Sequence, residues 1–108
     1  MFGFRKSVKE VTPAELAGKV QEGAVTLVDV REPAEFAAGH IPGAVNHPLS
    51  SFDPSRLPAN GKPVILYCAA GGRSGTALGR CRDARADVDT HLAGGIGSWQ
   101  RAGLPVAQ

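Results

Sequence analysis

Two apolar runs constrain the fold most, Val25-Thr-Leu-Val-Asp-Val30 and Val64-Ile-Leu-Tyr67. Neither alternates polar with apolar residues, as a strand with one wet face would. Both read as strands buried on two faces, the arrangement of a parallel sheet covered by helices. Strand-like and helix-like stretches alternate around them, which predicts an α/β domain with a mainly parallel sheet. The 108 residues suffice for a single such domain, with a core over about residues 8–106.

The remaining signals fill in that order. Val8 to Val11 is a short extended piece. Thr12 with Glu15 three residues on forms a capping box, and Pro13 takes the first helical position of a helix that runs through Leu16 to about Val20 and stops near Gly23. Glu32-Pro33-Ala34-Glu35-Phe36 opens a short helix that Gly39 ends. Ile41-Pro42-Gly43 is a turn, and Ala44 to His47 a short strand. Ser50 to Gly61, rich in Ser, Pro, Asn and Asp, reads as a surface connection with at most one helical turn. After Val64 to Tyr67, Gly71-Gly72 breaks the chain and a helix starts at Ser74, running through Leu78 to about Arg82. Val88 to Leu92 is the last strand, and Gly94-Gly95 a turn before a final helix around Trp99 that closes at Gly103.

Composition excludes several function classes. A net charge of +2 and the absence of a Lys/Arg run argue against nucleic acid. The Arg5-Lys6 cluster with Lys9 reads as a solvated face. No stretch approaches the roughly 20 apolar residues that span a bilayer, and Met-Phe-Gly-Phe-Arg-Lys lacks the apolar core of a secretory signal. A cytoplasmic protein is the expectation for the chain as it stands, with a monomer as the default at this size. Two cysteines are too few for a disulfide scaffold and suit a reducing compartment. No Cys-x-x-Cys pair exists, and His40, His47 and His91 show no ligand spacing, so neither a metal nor a cofactor is expected.

Chemistry concentrates at Cys68. It follows a buried strand directly, at the end where open α/β sheets bind ligands. The residues after it, Ala69-Ala70-Gly71-Gly72, carry no bulky side chain, and two glycines allow successive N–H groups to turn inward as an anion-binding nest. The helix starting at Ser74 adds the positive end of its dipole. Both effects favour the thiolate, which is the nucleophile. No His lies close in sequence, although a partner need only be near in space. The alternative reading is an inert buried thiol at a strand end. Cys81, mid-helix between Arg80 and Arg82, reads as packing or partial exposure.

Three segments resemble the rhodanese, or sulfurtransferase, domain family over nearly the whole chain. They are Val28-Asp-Val-Arg-Glu-Pro-Ala-Glu-Phe-Ala-Ala-Gly-His-Ile-Pro-Gly-Ala-Val-Asn46, Tyr67-Cys-Ala-Ala-Gly-Gly-Arg-Ser74 and Leu92-Ala-Gly-Gly-Ile-Gly-Ser-Trp-Gln-Arg-Ala-Gly-Leu-Pro-Val106. The resemblance implies a rhodanese-like fold, a five-stranded mainly parallel sheet flanked by helices on both faces. It implies that Cys68 takes the outer sulfur of thiosulfate or a small persulfide and passes it to cyanide or a thiol. The amides of Ala69, Ala70, Gly71, Gly72, Arg73 and Ser74 would then hold the terminal sulfur. Asp29, Arg31 and Glu32 are expected in buried polar bonds, His40 in scaffold, and Trp99 in the core. Residues 79–87, Gly79-Arg-Cys-Arg-Asp-Ala-Arg-Ala-Asp87, are more polar than the family's usual helix.

Two other readings stay open at this point. Cysteine phosphatases and arsenate reductases place five residues between Cys and Arg, whereas four stand between Cys68 and Arg73. The shorter loop suits one sulfur atom better than a tetrahedral oxyanion. A binding module, or a carrier that hands its persulfide to a protein partner, is the third possibility. Only Arg73 offers the loop a side-chain cation, which weakens the case for thiosulfate as the natural donor.

Overall fold

A computed structural model describes residues 8–108, so Arg5 and Lys6 lie outside the described residues. The strands are β1 (Lys9–Val11), β2 (Thr26–Asp29), β3 (Val45–Asn46), β4 (Val64–Tyr67) and β5 (Thr90–Leu92). The helices are α1 (Pro13–Gln21), α2 (Pro33–Ala38), α3 (Gly72–Asp83) and α4 (Gly95–Arg101). One sheet forms in the order β1-β5-β4-β2-β3, with every pairing parallel. The parallel α/β expectation holds.

The period of two along β4 sorts its side chains between two cores. Val64, Leu66 and Cys68 face one side, where Ala77, Leu78 and Cys81 of α3 cover them with Val28, Val30 and Phe52. Ile65 and Tyr67 face the other, against Leu16 of α1 and Ile96 and Trp99 of α4. Helices therefore lie on both faces, and Cys68 continues the α3 side of the sheet.

The Thr12 capping box is present, with Glu15 N–H donating to Thr12 Oγ1 at 3.1 Å and Thr12 N–H to Glu15 Oε1 at 2.8 Å. Three boundaries differ from the sequence reading. The connection after β3 contains two 3₁₀ turns, Leu49–Ser51 and Pro54–Arg56, where one was expected at most. Asp53 caps the second by accepting the Ser55 N–H at 3.0 Å, with Pro54 at its first position. The last strand starts at Thr90 rather than Val88, and Val88 packs against the α3-side core. Helix α3 begins at Gly72, two residues before Ser74.

Asp29 and Arg31 form the expected buried polar bonds at the end of β2. Arg31 Nη2 donates to Asp29 Oδ2 at 2.7 Å and to the Gly39 carbonyl at 2.7 Å, tying the strand end to the close of α2. Glu32 departs from that expectation: it is half-buried and accepts the Ser50 hydroxyl at 2.7 Å. Trp99 is a core residue, its Nε1 donating to the Pro105 carbonyl at 2.8 Å. His40 is scaffold, stacked on Phe36 and bonded through Nδ1 to the Phe36 carbonyl. No described helix is long and apolar enough to cross a membrane.

Candidate active site

Strand β4 delivers Cys68 to the C-terminal edge of the sheet, and the chain then turns back over its sulfur. The residue is only 1% exposed. Gly71 N–H donates to Cys68 Sγ at 3.0 Å, and Ser74 Oγ lies 3.4 Å away. Burial pushes this thiol up, yet the Ser74 hydroxyl and the N–H groups of Ser74, Gly71 and Ala70 outweigh it and bring it below the ordinary thiol range. The sulfur is therefore buried and anion-stabilised together. Cys81 is the contrast: burial acts alone there and pushes it up to about 11.

Gly71 makes the cradle possible. Its φ of +118° is closed to other residues without strain, and it turns the N–H toward Sγ while serving as the N-cap of α3. Gly72, Arg73 and Ser74 consequently sit in the first turn of α3, so the cradle is half loop and half helix N-terminus. The sequence reading placed Gly72 and Arg73 in the loop and began the helix at Ser74.

Arg73 does not stand free at the rim. Its Nη1 and Nη2 bond Glu35 Oε1 and Oε2 at 2.6 and 3.0 Å, a bidentate pair. The guanidinium holds the Glu35 carboxyl down at about 2. Arg73 also feels the charge of Cys68, so its field reaches the sulfur with Glu35 opposing it.

The start of α4 supports the cradle from behind. Ile96 N–H donates to the Cys68 carbonyl at 2.9 Å and Gly97 N–H to the Ala69 carbonyl at 3.1 Å. Two otherwise unpaired helix-start donors thereby fix the two peptides that begin the loop. The approach needs Gly95, where a Cβ would fall 2.4 Å from the Cys68 carbonyl oxygen and 2.5 Å from Ala69 C, at a φ of +62°.

This arrangement agrees with comparisons to known proteins. The family model described as "Rhodanese-like domain" matches residues 12–102. The chain belongs to the rhodanese-like domain family. An uncharacterized Synechocystis protein is 46% identical over 99 residues, which cover 91% of this chain and 55% of that protein. The chain thus spans about half the length of that relative. A protein of Allochromatium vinosum named "Sulfurtransferase" is 39% identical over 84 residues, 76% of this chain and 78% of that one. The crystal structure of a rhodanese-related protein from Thermoplasma volcanium superposes with a TM-score of 0.80 at 30% identity, covering 92% of this chain and 97% of that one.

Within this rhodanese-like domain, the structure brings Ala70, Gly71 and Ser74 around the Cys68 sulfur, while the Arg73 side chain turns to Glu35. Ala69 is used through its carbonyl, which is held by α4, and Gly72 lies exposed in the first turn of α3. Sequence reasoning missed Glu35, Gly95, His91 and Glu10. Glu35 was legible as a carboxylate in a family segment but had no visible partner. His91 Nδ1 lies 2.7 Å from Ser74 Oγ, and its Nε2 lies 3.2 Å from Glu10 Oε2. Nothing in the spacing of residues 10, 74 and 91 shows that contact, since it arises from the β1–β5 register, which pairs Glu10 with His91. A wide hollow of about 630 Å³ lies at the opposite end of the sheet, between Lys9, Lys62 and Thr90, remote from the cradle. Among the described residues no group of three His, Cys, Asp or Glu could hold a metal ion.

Proposed function

We propose that this domain is a sulfurtransferase that carries a sulfane sulfur on Cys68. The observation that carries the reading is the cradle itself: one buried sulfur, faced by the amides of Ala70, Gly71 and Ser74 and by the Ser74 hydroxyl. Support also comes from the Allochromatium relative's name and from the family match.

The Cys68 thiolate attacks the outer sulfur of the donor. The donor's S–S bond breaks as the new bond forms, and the electron pair leaves with the donor remainder, a thiolate from a persulfide or sulfite from thiosulfate. The bound persulfide then gives its outer sulfur to a thiol or cyanide and returns Cys68 as the thiolate, a double displacement. The cradle amides would stabilise anionic sulfur in both halves. A cysteine this enclosed accepts only a small reaching atom, which favours a terminal sulfur over a phosphate. The four-residue gap between Cys68 and Arg73 points the same way.

Glu35 neutralises the one loop cation, so the rim lacks a free charge for the thiosulfate dianion. A low-molecular-weight persulfide is the better natural donor. The acceptor is a thiol, of a small molecule or of a protein partner, in a reducing cytoplasmic setting that suits two unpaired cysteines.

Mass spectrometry after incubation with glutathione persulfide or thiosulfate tests this. An adduct of one sulfur is expected, absent in Cys68→Ser. An adduct that survives this substitution overturns the assignment. Aryl phosphate hydrolysis faster than sulfur transfer overturns the reaction class.

A further inference from the structure

Ser74 Oγ has one hydrogen for the Gly71 carbonyl at 3.2 Å and His91 Nδ1 at 2.7 Å, and Cys68 Sγ at 3.4 Å, which donates to it as a thiol, becomes a third acceptor as the thiolate. Ser74 is 0% exposed and His91 6%, so water does not relieve this competition. On the far side of the ring, Nε2 meets Glu10, whose side chain is 58% exposed. A continuous line of polar atoms therefore joins the buried sulfur to the surface across β4, α3, β5 and β1.

We propose that His91, held by Glu10, is a positioning residue that sets the direction of the Ser74 hydroxyl and through it the thiolate character of Cys68. The inference rests on Cys68 being the reactive nucleophile. With the imidazole neutral and Nε2–H donating to Glu10, Nδ1 is an acceptor. It draws the Ser74 hydrogen at 2.7 Å, and the sulfur loses a donor. With the imidazole protonated, Nδ1–H donates to Ser74 Oγ instead. The hydroxyl hydrogen must then turn away, and an anionic sulfur is its strongest remaining acceptor. Protonating His91 thus favours the thiolate, and forming the thiolate favours protonated His91, because the linkage is reciprocal.

Among the described residues the groups facing the imidazole are few. Strand β1 presents Glu10, and α3 presents the Ser74 hydroxyl and Gly75, the latter against Cε1. Strand β4 presents Cys68 through Ser74. One rung back, Lys9 and Asp89 pair with each other at 3.5 Å. Among the described residues Glu10 is the charge that acts on His91 directly, and as a carboxylate it favours the imidazolium.

The test is the pH profile of Cys68 alkylation by iodoacetamide in the whole chain, read by mass spectrometry, with Cys81 as the internal control. The wild type should show two steps, one set by His91 and the other by Cys68. His91→Phe should remove the His91 step and speed alkylation roughly tenfold on its basic side, because phenyl leaves the Ser74 hydrogen to the sulfur, the gain of one hydrogen bond to a charged group. In Ser74→Ala the further change His91→Phe should have no effect. Glu10→Gln, at an exposed position, keeps the protein folded and should move the step to lower pH. A His91→Phe profile that overlays the wild type overturns the proposal. So does a His91 effect that persists without the Ser74 hydroxyl, or a step unmoved in Glu10→Gln. Alkylation reports thiolate alone. A missing sulfur adduct with an intact His91-dependent profile would sink the sulfur-transfer reading and leave the relay, and the reverse result would do the opposite.

Discussion

Cys68 and Cys81 face the same core, both buried, yet their surroundings drive them in opposite directions. The sulfur of Cys68 meets N–H and O–H donors, whereas burial pushes Cys81 up to about 11 with nothing to oppose it. Near neutral pH, iodoacetamide should label Cys68 and leave Cys81 unmodified, as peptide mass spectrometry would show. Equal labelling would mean that the cradle donors do not govern reactivity. The Arg73–Glu35 pair belongs to the same scale. Glu35→Gln should free one positive charge at the rim and raise kcat/KM for thiosulfate relative to glutathione persulfide by about fivefold, the effect of roughly 1 kcal/mol from one unit charge at an exposed site. The cost in stability should be at most about 1 kcal/mol, since both side chains are more than a third exposed. The carboxyl titrates lower folded than unfolded, so the pair stabilises at neutral pH. That contribution is lost as pH falls from the ordinary carboxylate range toward about 2.

At the scale of elements, the site depends on a close approach between the start of α4 and the peptides that follow β4. Gly95→Ala would drive a methyl group into the Cys68 carbonyl and strain a positive φ as well. A loss of about 3 kcal/mol in denaturant unfolding is expected, with sulfur transfer falling further because the loop carrying Cys68 must move. Gly18 in α1 is the control. Nothing lies within 4 Å of the Cβ that alanine would add there, so Gly18→Ala should stabilise by about 0.5–1 kcal/mol. The sequence shows the Gly94-Gly95 pair and supports a turn, but not that the second glycine abuts the peptides of Cys68 and Ala69. Helix α1 was the more legible element, because Thr12, Pro13 and Glu15 act on neighbours three residues away. The start of α3 was misplaced because Gly71 looks like a break, when its left-handed conformation is what lets the helix begin at Gly72. The extra charge of residues 79–87 faces water, with Arg82, Asp83, Arg85 and Asp87 all exposed, so it leaves the packing beneath the cradle undisturbed.

At the scale of the whole molecule, two cores share one parallel sheet, and the buried Asp29–Arg31 pair joins the end of β2 to the turn after α2. Asp29 is 0% exposed, so Arg31→Leu would leave a carboxylate buried with its main partner gone. Destabilisation by about 3–5 kcal/mol is expected in urea unfolding. A loss under 1 kcal/mol would show that the backbone bonds alone hold the strand end. The sequence by itself determined the fold class, the order of elements and the place of Cys68 directly after β4. Buried parallel strands, capping residues and a glycine loop act over a few neighbouring residues and leave their mark in the chain. Only the tertiary structure decided that Glu35 occupies Arg73, that Gly95 abuts the Cys68 peptide, and that Glu10, His91 and Ser74 line up behind the sulfur. Those contacts join residues 6 to 81 positions apart, and they follow from strand order and register, which no local pattern encodes.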